Sequence, residues 1–90
     1  MRDSRLLAIE FMRIQIFSTD GCTLCEKVID KLFDLSLNQG LELIVTDVSL
    51  DDELLSRYGA DIPVIKTSEK TLRSPFSDEE MLELIKQSIL

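Results

Sequence analysis

The sequence predicts an α/β domain in the order β-α-β-α-β-β-α. Three observations carry that prediction. Residues 12–48 read as strand, long helix and second strand. A polar break at 67–70 separates two short runs of strand formers. A capped amphipathic helix closes the chain. With 90 residues there is room for one domain and one compact core.

The first strand is Met12-Arg-Ile-Gln-Ile-Phe17, in which Ile14 and Ile16 share one face. The domain is assigned to residues 12–90. Residues 1–11 are read as an N-terminal extension. It is either a mis-assigned start, with Met12 as the true initiator, or a short extra element built on Leu6–Ile9.

Ser18-Thr19-Asp20-Gly21 forms a turn, and a helix is expected from about Thr23 to Asn38. Val28, Ile29, Leu32, Phe33 and Ser36 fall on its core face. Glu26, Lys27, Asp30, Lys31 and Asp34 fall on its polar face. Gly40 is the expected stop.

Leu41–Val48 reads as a second strand, and its apolar centre predicts burial on both faces. Strand, helix and strand in this order make a parallel, right-handed crossover. Asp51-Asp52-Glu53 suits the positive end of a short helix that carries Leu54, Leu55 and Tyr58 and ends at Gly59. Val64–Lys66 and Thr71–Arg73 flank Thr67-Ser-Glu-Lys70 as a hairpin. Ser77 and Glu80 have capping-box spacing for the last helix, whose expected buried stripe is Met81, Leu82, Ile85 and Ile89.

Composition narrows the functions. The hydrophobic fraction is 44% and the charged fraction 30%, ordinary for a globular domain. The formal net charge is -7 and there is no histidine. Phosphate backbones and anionic membranes both require clustered Lys and Arg, so neither nucleic acid nor membrane is an expected partner. No apolar run approaches the ~20 residues of a membrane span. Leu6–Ile9 is too short for a secretory leader, so the expected location is the cytoplasm. A purely structural disulfide is not expected there.

Both cysteines lie in Cys22-Thr23-Leu24-Cys25, between the first strand and the first turn of the first helix. Position gives this spacing its chemistry. Cys22 sits near the N-cap, where unpaired N–H groups and the helix dipole favour the thiolate. Cys25 lies one turn along on the same side. The outer sulfur, Cys22, is the candidate nucleophile. The more shielded Cys25 is the candidate resolving thiol, placed to displace a target bound to Cys22. Asp20 and the acidic balance of the chain act against a thiolate. No metal is expected, because a zinc or iron–sulfur site needs about four ligands. A metal or iron–sulfur centre shared by a dimer, and two cysteines that merely fill the core, are the competing readings.

Pro63 starts the third strand, where no ladder donor is required; from the residues alone either peptide isomer is open.

The sequence resembles the glutaredoxin-like branch of the thioredoxin superfamily. The resemblance rests on Ile14–Phe17, Gly21-Cys22-Thr23-Leu24-Cys25 and Tyr58-Gly59-Ala60-Asp61-Ile62-Pro63-Val64. Ser74-Pro75-Phe76-Ser77-Asp78-Glu79 is similar to a stretch in small bacterial members. The resemblance implies a four-stranded mixed sheet flanked by three helices, of thioredoxin-like fold. It implies a cis Pro63 that faces the cysteines, and an Ile62 whose backbone pairs with an extended substrate. Cys22 and Cys25 take the attacking and resolving places.

The implied activity is thiol–disulfide exchange on a disulfide-containing protein or small molecule, by a monomer without a bound cofactor. Glutathione is the candidate reductant. The chain departs from the family in Thr23-Leu24 between the cysteines, and in Leu72–Ser77, which stands where glutaredoxins carry Gly-Gly. A thioredoxin-fold interaction module without catalysis is the alternative function.

Overall fold

The computed structural model describes residues 13–39, 42–68 and 70–89. The extension 1–11, Met12, Gly40 and Leu41 lie outside the described residues. Strands β1 (Arg13–Ser18), β2 (Glu42–Asp47), β3 (Val64–Lys66) and β4 (Thr71–Leu72) form one sheet in the order β2-β1-β3-β4. Helices α1 (Thr23–Gln39), α2 (Asp52–Tyr58) and α3 (Asp78–Ile89) connect and flank it, and short 3-10 turns occupy Val48–Leu50 and Gly59–Asp61. This is the expected order and the expected mixed sheet. β1 runs parallel to β2 and antiparallel to β3, which pairs antiparallel with β4.

Central position explains the burial of β1. Ile14 and Ile16 face one layer and Phe17 the other, and all three are buried. Ile14 and Ile16 join Val28, Leu32, Ile65, Met81, Leu84 and Ile85 in the main core. That core lies between the sheet, α1 and α3. Phe17 belongs to a second cluster with Val48, Tyr58 and Val64. Its ring stacks on Tyr58, with centroids 4.3 Å apart and planes 10° from parallel.

Three expectations about burial are corrected. β2 is an edge strand and not a doubly covered one. Ile44 and Val45 are exposed, while Leu43 packs on the main core. A parallel strand is covered on both faces only when helices flank both of its sides, and among the described residues β2 has a strand neighbour on one side alone. Phe33 is 48% exposed, because the buried stripe of α1 runs through Cys25, Val28 and Leu32. These residues recur at helical spacing, and Phe33 lies beyond the edge of that stripe. In α3 the buried residues are Met81, Leu84 and Ile85, and Leu82 points outward. The side chains of Ser36 and Ile89 lie outside the described residues.

The local signals act as their chemistry dictates. Asp51 caps α2, its Oδ1 accepting from the N–H groups of Glu53 and Leu54. At α3 the Ser77 N–H donates to Glu80 Oε1 at 2.9 Å, and the Glu80 N–H donates to Ser77 Oγ at 3.1 Å. This is a reciprocal capping box. The 67–70 turn is closed by the Thr67 N–H on the Lys70 carbonyl and the Lys70 N–H on Thr67 Oγ1.

Candidate redox site

The two motifs singled out by the sequence arrive at one end of the sheet. β1 delivers the cysteine turn at its C-terminal end, and Pro63 leads directly into β3. Antiparallel pairing sets Phe17 opposite Val64, the residue after Pro63. The stretch after Phe17 and the stretch before Val64 therefore emerge on the same side.

Gly21 makes the turn possible. Its φ is +79°, a region that an L side chain enters only at a cost. The chain then enters α1 with Cys22 in the N-cap position. The Cys22 carbonyl accepts the first helical bond from the Glu26 N–H at 3.1 Å. The Cys25 N–H donates to Cys22 Sγ at 3.1 Å. Sulfur thus occupies the place that a Ser, Thr or Asp oxygen takes at most helix starts.

The sulfurs of Cys22 and Cys25 are joined in a disulfide, with Cα atoms 5.2 Å apart. That spacing lies inside the ordinary range for a bridge. Cys25 is fully buried, whereas Cys22 is half-exposed. The structure therefore brings the two together with the expected difference in access. Among the described residues no group of three or more His, Cys, Asp or Glu side chains is placed to hold a metal ion.

Pro63 is buried and follows Ile62 through a cis peptide bond, the isomer implied by the resemblance. Ile62 has an extended backbone, with φ −65° and ψ 147°, and packs on the Phe17–Tyr58 cluster.

Two features of this end were not foreseen. Arg73 and Ser74 tie the β4 side of the molecule to the turn before Pro63. Arg73 donates to Asp61 Oδ2 at 2.7 Å and to the Arg57 carbonyl at 3.1 Å, with its guanidinium 5.0 Å from the centre of the Tyr58 ring. The Ser74 N–H donates to the Asp61 carbonyl at 3.1 Å, and Ser74 Oγ donates to the Pro63 carbonyl at 2.7 Å. The visible signal was an Arg-Ser-Pro triplet in a segment that departs from the family pattern.

The second feature is a groove of about 470 Å³ between α1 and the 74–78 segment, walled by Leu24, Val28, Pro75 and Phe76. It begins at Leu24, which lies between the cysteines and is 53% exposed. Lys31 and Asp78 form an ion pair across it at 2.7 Å.

Asp47 ends β2 beside Ser18 in register. Hydrogen bonds from the Ser49 hydroxyl and the Ser49 N–H hold its carboxyl below the ordinary value of 3.8. Thr19, in the turn that leads to Cys22, adds to the same effect.

A β2-β1-β3-β4 sheet, a helix that opens on a Cys-x-x-Cys bridge and a cis proline at the head of β3 define a protein of the thioredoxin fold. Solved structures agree. A structural-genomics target protein from X. campestris matches with a TM-score of 0.69 at 20% identity, over 82% of this chain and 96% of the other. Thioredoxin 1 from Thermosipho africanus matches at 0.66 and 21%, over 83% and 91%. A protein from Nitrosomonas europaea, known from its solution structure, matches at 0.65 and 27%, over 79% and 86%.

The chain belongs to the family of the glutaredoxin-like domain (DUF836), which it matches over residues 13–86. No curated protein matches it. Family, fold and the paired cysteines fit a thiol–disulfide role. No described helix is long and apolar enough to cross a membrane.

Proposed function

We propose that the protein is a dithiol–disulfide oxidoreductase, with Cys22 as the attacking thiol and Cys25 as the resolving one. The observation that carries this reading is the Cys25 N–H aimed at Cys22 Sγ, at the start of a 17-residue helix, with Cys22 partly exposed and Cys25 buried. A backbone donor and the helix N-terminus both favour sulfur as an anion, and the thiolate is the nucleophile.

In the reduced protein the Cys22 thiolate attacks one sulfur of a substrate disulfide. A mixed disulfide forms and the first substrate sulfur leaves as a thiolate. Cys25 gives up its proton and attacks Cys22 Sγ. The Cys22–Cys25 bond forms, and the second substrate sulfur leaves. Two electrons pass from the protein dithiol to the substrate; one departing thiolate takes up the proton that Cys25 releases, and the other takes one from solvent, which received the Cys22 proton when that thiolate formed. An external thiol, with glutathione as the candidate, returns the protein to its reduced state.

Ile62 and Pro63 supply the second half of the site. An extended backbone next to the cysteine turn can pair with a substrate strand, main chain to main chain. The substrate is a disulfide-containing protein or small molecule, and the working unit is a cytoplasmic monomer.

The test uses pre-reduced protein mixed with a disulfide-linked peptide pair. One Cys22–Cys25 bond is expected for each peptide disulfide reduced, with reaction lost in Cys22→Ser. Full activity in Cys22→Ser contradicts the assignment.

A further inference from the structure

The segment after β4 makes more bonds to the Pro63 turn than a connecting loop requires. Ser74 alone binds two carbonyls, those of Asp61 and Pro63, the residues on either side of Ile62. Arg73 binds the Asp61 carboxylate and the last turn of α2 through the Arg57 carbonyl, while lying over the Tyr58 ring. From below, the Ile62 side chain packs on the cluster of Phe17, Val48, Tyr58 and Val64. The turn is thus held from two sides: by apolar packing underneath and by a polar clasp from residues 73–74.

We propose that Arg73 and Ser74 are positioning residues, whose clasp on Asp61 and Pro63 holds the Ile62 backbone in the extended geometry needed to pair with a polypeptide disulfide. The proposal rests on the redox reading of Cys22 and Cys25 and adds to it. Planar peptide units explain why two bonds suffice. Each carbonyl that is aimed fixes the plane of its whole peptide group. With the Asp61 and Pro63 carbonyls both committed to Ser74, the backbone around Ile62 has little freedom left. A substrate strand then docks without first ordering that turn, and the entropy of ordering is not charged against binding. A small disulfide that makes no main-chain pairs gains nothing from the clasp. The two substrate classes must therefore respond differently when it is cut.

The experiment follows single turnovers of pre-reduced protein on two probes, a disulfide-linked peptide pair and bis(2-hydroxyethyl) disulfide. For Ser74→Ala the half-saturating peptide concentration is expected to rise about fivefold, the equivalent of one ordinary hydrogen bond. The limiting rate, and the rate on the small disulfide, should stay at the wild-type values. Ser74→Thr, which keeps the hydroxyl, should restore peptide binding.

Arg73→Gln changes an exposed side chain and should give the same split. It decides the matter if circular dichroism finds Ser74→Ala unfolded. Unchanged half-saturation, or equal slowing on both probes, overturns the clasp and leaves the redox reading standing. A wild-type protein that reduces neither probe overturns the redox reading itself, and the clasp proposal with it.

Discussion

The N–H of Cys25 donates to the sulfur of Cys22 at 3.1 Å, so the helix that presents the pair also caps itself with it. The same backbone geometry makes the two cysteines unequal. Cys22 stands at the N-cap, half-exposed, and Cys25 faces the core one turn later. In the fully reduced protein iodoacetamide should therefore modify Cys22 at least about tenfold faster than Cys25, since thiol reactivity follows access and thiolate content. Peptide mapping after brief labelling measures the ratio. Equal labelling contradicts the placement of Cys25.

Gly21 holds φ at +79°, and apart from its chain neighbours no described residue has an atom within 4 Å of where a Cβ would stand. Substitution therefore meets a backbone cost and no clash. Gly21→Ala is expected to destabilise the fold by about 1–2 kcal/mol, the penalty for a left-handed L residue. Urea unfolding reads this as a lower midpoint with an unchanged slope. An unmoved midpoint means that the turn relaxes freely.

The capping box of α3 holds the end of the groove wall at Asp78. Ser77→Ala leaves the Glu80 N–H without its partner and is expected to cost about 1 kcal/mol. Glu80→Gln retains an acceptor and should cost less. Denaturant midpoints of the two variants order them.

Asp47 gives a pH prediction. Its folded-state value lies below 3.8, through the Ser49 hydroxyl first and the Ser49 N–H second. Folding therefore favours the carboxylate. The stabilisation is fully present above the ordinary value and disappears as pH falls through the lowered one. An NMR titration should find Asp47 below 3.8. Asp47→Asn should weaken the fold near neutral pH and lose that effect in strong acid. A titration at or above 3.8 contradicts the bonding.

Most of the fold was legible, because local rules and tertiary packing agree along β1, α1, the 67–70 turn and the α3 cap. Ile14 and Ile16 announce β1 by alternation, and Ser77 with Glu80 announces α3 by spacing. The misread residues share a cause. Phe33 and Leu82 lie at the margins of apolar stripes, where only the contact with the sheet decides which side is covered. Ile44 and Val45 look like the centre of a buried strand, but strand order sets β2 at the edge, and order is a property of the whole chain.

In the candidate site, cysteine spacing and the helix start revealed Cys22 and Cys25. Ile62 and Pro63 came through resemblance. The Arg73–Ser74 clasp was hidden, because three of its four bonds end on backbone carbonyls 11 to 16 residues away in the chain. Carbonyls carry no mark in a sequence.

The most direct test of the account is to trap the exchange midway. Reduced Cys25→Ser is mixed with a disulfide-linked peptide pair, and the adduct is mapped by mass spectrometry. A stable mixed disulfide on Cys22, absent when Cys22→Ser is treated in the same way, is the predicted result. An adduct that forms on Cys25 of Cys22→Ser at an undiminished rate contradicts it.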